Sequence, residues 1–359
     1  MPETMSMNLL DLARSFEVVV SQEARKYSEK VKNGKAPLLD RVEYYEDIIN
    51  MEIGDTSLSR ARNLERELGF RQLFLKFEGG NPTGTQKDRI AFAQCHDALR
   101  RDYDTITVAT CGNYGAAIAL AAQLAGLRSI IYIPSTYHTL RTQEMETLGS
   151  EVRRHGETYE DAVKFSTLQA HEHAWYDANP GGQNTPLQLI AYAEIANEIY
   201  DQLRDAPKFV GVPVSNGTLL AGIYRGFVGL YRRGKTSRVP KMIAGSSADQ
   251  NPIVHAFANG LKHCIDLSPE SLHETSVNEP LINWHSFDGD EALYAIRKSK
   301  GGAHYLTDED LLSQSQMLVE KEGLNVLPAS TAGLAGLLKE HAKRELEPDR
   351  YVAIITGRN

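Results

Sequence analysis

Apolar runs of strand length alternate along most of the chain with stretches in which apolar residues recur every three or four positions. That alternation predicts an α/β architecture of mostly parallel sheets, their strands joined by helical crossovers. Strands are expected at 73–77, 105–109, 130–133, 209–214, 241–245 and 351–355, with helices between them. "YGAAIALAAQLAGL" runs as a helix to a glycine-containing stop before Arg128. "TPLQLIAYAEIANEIYDQL" carries Leu187, Ile190, Ala191, Ile195 and Ile199 at helical spacing. Thr307, with Asp310 three residues on, forms a capping pair that opens a helix from Asp308.

Two segments depart from the alternation. Residues 1–50 read as a charge-rich helical extension, whose amphipathic "LLDLARSFEVVV" is expected to pack on the body or on a second subunit. Residues 261–289, rich in Ser, Asn, His and Pro, read as a loop near the active site rather than a linker.

A chain of 359 residues buries a large core and suits two domains or one large body. The net charge of -8, without a Lys/Arg cluster, argues against nucleic acid as a partner. No apolar run approaches the roughly 20 residues that a bilayer span requires, and the N-terminus lacks the apolar core of an export signal. Cys95, Cys111 and Cys264 show no metal-type pairing and suit a reducing compartment, so a cytoplasmic location is expected. His171 and His173 stand two apart on a helix and do not share a face, so no metal site is expected there.

Candidate chemistry gathers at four strand ends. In "EGGNPTGTQKDRIA", Lys87 stands between the strand 73–77 and a helix expected from Asp88. A lysine there is either a surface residue at a capped turn, as most are, or a nucleophile made competent by desolvation and by the positive end of the helix. "VATCGNYGAA" is a second strand–turn–helix junction, through Thr110, Cys111, Gly112, Asn113 and Tyr114. Its glycines let backbone amides approach a carboxylate or phosphate closely. "VGVPVSNGTLLAGIYRGF" repeats the construction with Ser215, Asn216, Gly217, Thr218 and Leu219, donors suited to a doubly charged phosphate. The last strand delivers Thr356, with a glycine directly after it.

In order and local context, these segments resemble the fold-type II pyridoxal-phosphate enzymes, and within them the threonine synthase-like branch. The resemblance covers about 54–359. "GDTSLSRARNLERELG" is similar to the family's opening G-N-T-P-L segment, and "NPTGTQKDR" to its lysine motif. "VPVSN" is similar to V-P-V-G-N, "EGLNVLPASTAGLAGL" to a late active-site segment, and "ITGRN" to the closing T-G.

The resemblance implies a two-domain, tryptophan synthase β-like fold, with 87–177 as the smaller, substrate-side domain and 51–86 with 178–359 as the larger, cofactor-binding one. It implies that Lys87 holds pyridoxal phosphate as a Schiff base and moves protons at the substrate α-carbon. Asn113 would meet the ring hydroxyl, and the turn at Thr110, Cys111, Gly112, Asn113 and Tyr114 the substrate. Ser215 to Leu219 would cradle the phosphate, and Thr356 would face the pyridine nitrogen. A neutral hydroxyl at that nitrogen tilts the chemistry toward elimination and replacement. The implied protein is a lyase acting on a small-molecule amino-acid substrate, a homodimer, making threonine from O-phosphohomoserine.

Departures from the branch keep other substrates open. "DANPGGQNTP" shortens the segment between Asn179–Pro180 and Gln183, and an arginine of the family pattern is missing there. Arg141, Arg297 and Lys300 are the cations available in its place. Alternatives are a serine/threonine dehydratase, a β-replacement synthase of the cysteine or cysteate synthase type, or a silent relative that binds an amino acid. "GLYRRGKT", residues 229–236, matches the phosphate-loop NTPase pattern. It reads as a basic helix end, because no strand precedes it and a proline follows closely.

Overall fold

The computed structural model describes residues 20–110, 112–135, 139 and 141–359. The chain begins with α1 (Gln22–Val31) and α2 (Leu38–Glu52), then β1 (Leu58–Arg60), α3 (Arg62–Leu68), β2 (Leu73–Phe77) and α4 (Lys87–Arg100). It continues through β3 (Thr105–Ala109), α5 (Asn113–Ala125), β4 (Arg128–Ile133), α6 (Thr142–Thr147), β5 (Glu151–Arg154), α7 (Tyr159–His173) and β6 (Tyr176–Asp177). Next come α8 (Thr185–Leu203), β7 (Phe209–Pro213), α9 (Thr218–Arg232), β8 (Lys241–Ser247) and α10 (Pro252–Ala258). The last elements are α11 (Gly289–Lys298), β9 (Gly302–Leu306), α12 (Asp308–Glu322), α13 (Ala332–Lys343) and β10 (Tyr351–Ile355).

These strands build two sheets. One has six strands in the order β1-β2-β10-β7-β8-β9, parallel except for β1 against β2. The other has four parallel strands in the order β5-β4-β3-β6. Every residue of β3, β7 and β10 is buried, the continuous apolar burial of strands covered on both faces.

The periodicity locates β2, β3 and β10 at their observed bounds, whereas β4 starts earlier, at Arg128, and β8 runs on to Ser247. β7 stops at Pro213, one residue short of the expected end. β1, β5, β6 and β9 escape the periodicity because they are short or carry partly exposed polar residues. α8 fills the segment expected of it but buries a different stripe. Gln188, Leu189, Tyr192, Ile195, Ala196 and Ile199 face inward, while Ile190 is 64% exposed. The reason is its close packing on α9, where a Cβ at Gly226 would sit 2.5 Å from the Ala193 carbonyl oxygen. Such contact fixes the helix rotation more firmly than apolar spacing does.

The capping pair forms as expected, with the Thr307 hydroxyl accepting from the Asp310 N–H and the Asp310 carboxylate accepting from the Thr307 N–H. The phosphate-loop-like segment is the last turn of α9 and its glycine stop, with Gly234 at φ +68°. Helices α1 and α2 lie on the body. Ser28 Oγ donates to the Leu124 carbonyl at 2.9 Å, and Tyr45 OH donates to that of Ala121 at 3.0 Å. All but the last residue of "LLDLARSFEVVV" lies outside the described residues.

Candidate active site

Strands β2, β10 and β7 are parallel neighbours, so their carboxyl ends open on one edge of the larger sheet. The chain passes from β7 outward to β8 and β9, then returns to β10, which puts the topological switch point between β10 and β7. Open α/β sheets bind ligands at such a point. Here β2 delivers the loop to Lys87, β10 delivers Thr356 and β7 delivers Ser215 to Thr218. The first two are stitched together: Gln86 N–H donates to the Thr356 carbonyl at 3.0 Å, and Thr85 bridges to Gly357.

Lys87 is the first residue of α4, one position earlier than the helix expected from Asp88. Half-buried, its amine is lowered to about 8 by desolvation, against the opposing pull of Asp288. The ammonium lies 5.8 Å from the Tyr114 ring centroid. Behind it the helix is anchored by buried charge. Arg89 reaches Glu78 at 2.6 Å and Glu198 at 2.7 Å, and Lys76 reaches Glu198 at 2.5 Å. Asp88 accepts from the N–H and hydroxyl of Thr83, and burial lifts its carboxyl to about 7. Removing one member of such a cluster strands a buried charge, so the arrangement holds the start of α4 rigidly.

The second turn joins β3 to α5. Thr110 Oγ1 accepts from the N–H groups of Gly112 at 3.0 Å and Gly115 at 3.2 Å, so this hydroxyl shapes the loop rather than facing outward. Gly112 caps α5 at φ +157°, and a Cβ there would meet Thr139 Oγ1 at 3.0 Å. Asn113 opens the helix, and its Oδ1 accepts from Arg141 Nη1 at 2.8 Å. Arg141 also donates to the Thr83 carbonyl at 2.9 Å and is gripped by both oxygens of Glu144. Of the three replacement cations, this one reaches the site. Arg297 donates instead to the carbonyls of Leu261 and Lys262, and Lys300 lies in the turn after α11. Tyr114 is buried, with its hydroxyl donating to the Ala178 carbonyl at 2.8 Å, so its ring rather than its hydroxyl is what the site meets. Cys111 lies outside the described residues.

The third turn joins β7 to α9. Gly217 caps the helix at φ +93°, a conformation only glycine adopts without strain. The first intrahelical bond runs from Ala221 N–H to the Gly217 carbonyl, which leaves the amides of Thr218, Leu219 and Leu220 directed at the helix mouth. Asn216 Oδ1 accepts from Asn283 Nδ2 at 3.2 Å, and the Ser215 carbonyl accepts from Asn251 and Ser286 at 3.1 Å each. These side chains therefore brace the loop. Thr218 is not a free donor either: its hydroxyl donates to Asp288 Oδ2 at 2.5 Å, while Thr185 donates to Oδ1 at 2.6 Å. Burial raises the proton affinity of Asp288 relative to an ordinary aspartate, against the pull of the two hydroxyls. Sequence reasoning missed Asp288. Its one signal was its place just ahead of α11, at the end of the irregular segment 261–289.

Comparison with known proteins gives consistent results. A family model described as "Pyridoxal-phosphate dependent enzyme" matches residues 49–357. The threonine synthase of Methanocaldococcus jannaschii is 32% identical over 313 residues, 86% of this chain and 76% of that protein. The threonine synthase of Methanosarcina acetivorans is 30% identical, over 86% of this chain and 75% of that protein. Among solved structures, a threonine deaminase from T.th. superposes with a TM-score of 0.72 at 20% identity, covering 90% of this chain and 98% of that one. Maize serine racemase gives 0.73 at 19% identity, covering 89% and 93%. These two show the shared fold.

Proposed function

We propose, for a chain that belongs to the pyridoxal-phosphate dependent enzyme family, that the site around Lys87 converts O-phosphohomoserine to threonine. The chain is a pyridoxal-phosphate-dependent lyase similar to threonine synthases. The identity of its substrate is our reading.

The donor set fits the cofactor. It offers a lysine whose amine titrates at about 8, an asparagine at the head of α5, unbonded amides at the head of α9, and a hydroxyl at the end of β10. When bound, the cofactor supplies an electron sink for charge developing on the substrate α-carbon. Lys87 Nζ holds it and, once released, takes and returns the α-carbon proton. A base titrating this close to neutral pH is well matched to that task. The amides at the head of α9 hold the phosphate tail, and Asn113 holds the ring hydroxyl. Amides at the head of α5 hold the substrate carboxylate. Tyr114, pinned through Ala178, forms a fixed wall beside Nζ. Thr356 offers the ring nitrogen a neutral partner, which favours elimination and replacement over transamination. Arg141 supplies the positive charge that a leaving phosphate requires.

The carrying observation is the position of Lys87, with a lowered amine at the first turn of α4 and beside the switch point of the sheet. Residues 87–177 would act as the smaller body and 51–86 with 178–359 as the larger, closing to exclude water. A homodimer in the cytoplasm is part of the same reading. Sedimentation of the purified chain checks the dimer.

A panel of O-phosphohomoserine, O-phosphoserine, O-acetylserine, serine and threonine tests the substrate. Phosphate release from O-phosphohomoserine with formation of threonine is expected. Ammonia from threonine with O-phosphohomoserine inert would support the dehydratase alternative. That second reading has one specific observation in its favour: the turn from Pro180 to Gly182 carries no cationic residue, and Gly181 at φ +85° packs there against Phe287.

A further inference from the structure

The anion-binding mouth of α9 has a carboxylate built into it. Asp288 N–H donates to the Asn216 carbonyl at 3.0 Å, and a Cβ on Gly217 would lie 2.9 Å from the Asp288 carbonyl oxygen, so the residue is clamped on the loop. Both carboxylate oxygens are engaged by hydroxyls, Thr185 from α8 and Thr218 from α9. Only 3% of the residue is exposed.

The charges that face it are few. Lys87 of α4 favours the ionised form, and Glu291 of α11 opposes it. Arg225 of α9 is paired with Glu291 at 2.6 Å, and Asp290 is occupied by Cys264 N–H and His263. α10 contributes the apolar Ile253, which also packs at Gly217. Burial outweighs these charges and raises the proton affinity of Asp288.

We propose that binding of the cofactor's phosphate at the head of α9 is coupled to uptake of one proton by Asp288. The inference rests on the cofactor reading above and adds a linkage to it. An ionised carboxylate and a phosphate dianion beside the same few donors repel each other strongly in a site poor in water. A proton on Asp288 removes that repulsion and turns one of its oxygens into a donor. The proton comes from solvent and no bond other than the O–H is made. Asp288 is thus a positioning residue whose ionisation controls loading. The sign follows directly: raising the pH ionises Asp288, so affinity for the phosphate-bearing ligand falls above its pKa, by up to about tenfold per pH unit for a single linked proton.

The test titrates the full-length apoprotein with pyridoxal phosphate and with pyridoxal, which lacks the phosphate, following intrinsic fluorescence across pH. Asp288→Asn keeps the shape and removes the ionisation. Above the pKa of Asp288, the variant's Kd for pyridoxal phosphate relative to the parent's should fall by up to about tenfold per pH unit, beyond the smaller change in the ratio for pyridoxal that losing the pull of Asp288 on Lys87 brings to both compounds. Thr185→Val, which keeps the carboxyl but removes a hydroxyl stabilising its ionised form, should move the parent's transition to higher pH. Parallel profiles for parent and Asp288→Asn, an equal effect on pyridoxal, or an unmoved transition in Thr185→Val overturns the linkage while the cofactor reading stands. Failure to bind either compound overturns both.

Discussion

Two helices near Lys87 begin at a positive-φ glycine, and their mouths are electrostatic opposites. At the head of α5, Asn113 receives the Arg141 guanidinium, a cation held in place by Glu144 and the Thr83 carbonyl. At the head of α9, the Thr218 hydroxyl is taken by a carboxylate. The two helix starts share a backbone geometry, and in the proposed function the side chains brought to each from elsewhere decide which anion enters and at what pH. The α5 mouth suits a substrate that arrives and leaves as an anion. The α9 mouth suits a cofactor phosphate that is loaded once and retained.

In the proposed function Lys87 serves both mouths, so its loss should erase the difference between them. Lys87→Ala is expected to lower turnover by about 10³-fold or more, because the general base and the cofactor anchor disappear together. Steady-state assays with cofactor in excess check this, and full activity in that variant would contradict it.

Arg141→Met removes charge from the α5 mouth alone. The loss of a charge-assisted contact of about 1.5–3 kcal/mol should weaken kcat/KM for a phosphorylated substrate by roughly tenfold to 100-fold. Substrates with a neutral leaving group should change little. An equal loss on both would assign Arg141 to holding Asn113 and α6 rather than to the leaving group.

The two capping glycines should differ in stability cost. Gly217→Ala forces a methyl to 2.8 Å from Ala292 Cβ at φ +93°, whereas at Gly112 the neighbour is the Thr139 hydroxyl at 3.0 Å, the end of a rotatable side chain. Urea unfolding is expected to show about 1–3 kcal/mol lost for Gly217→Ala and less for Gly112→Ala. The reverse order would mean that the α9 loop has more room than its contacts indicate.

The three loops and the final strand were legible because each couples a buried strand to a short polar turn, a local signal that motif and periodicity share. Lys87, Asn113, Gly217 and Thr356 all stand where such junctions put them. What escaped was long-range. Asp288 reaches Thr218 across 70 residues of sequence and Thr185 across 103, and neither closure leaves a trace in spacing. Arg141 was one of three possible cations, and only the position of α6 against α5 separates it from Arg297 and Lys300. Thr110, Ser215, Asn216 and Thr218 were read as donors to ligand. The Thr110 and Thr218 hydroxyls, the Asn216 Oδ1 and the Ser215 carbonyl brace the turns, because a buried loop must satisfy its own hydrogen bonds first, while the amides of Thr218 and Leu219 stay directed at the helix mouth. In α8, glycine-mediated contact with α9 overrode the apolar pattern and left Ile190 outside.

The most direct measurement incubates the full chain with pyridoxal phosphate over a series of pH values, reduces it with borohydride and maps the adduct by peptide mass. Attachment at Lys87 is expected, with a capture rate that rises through pH of about 8 and then levels, as the amine loses its proton. Adducts scattered over surface lysines, or a rate that follows the ordinary lysine value of about 10.4, would contradict the account.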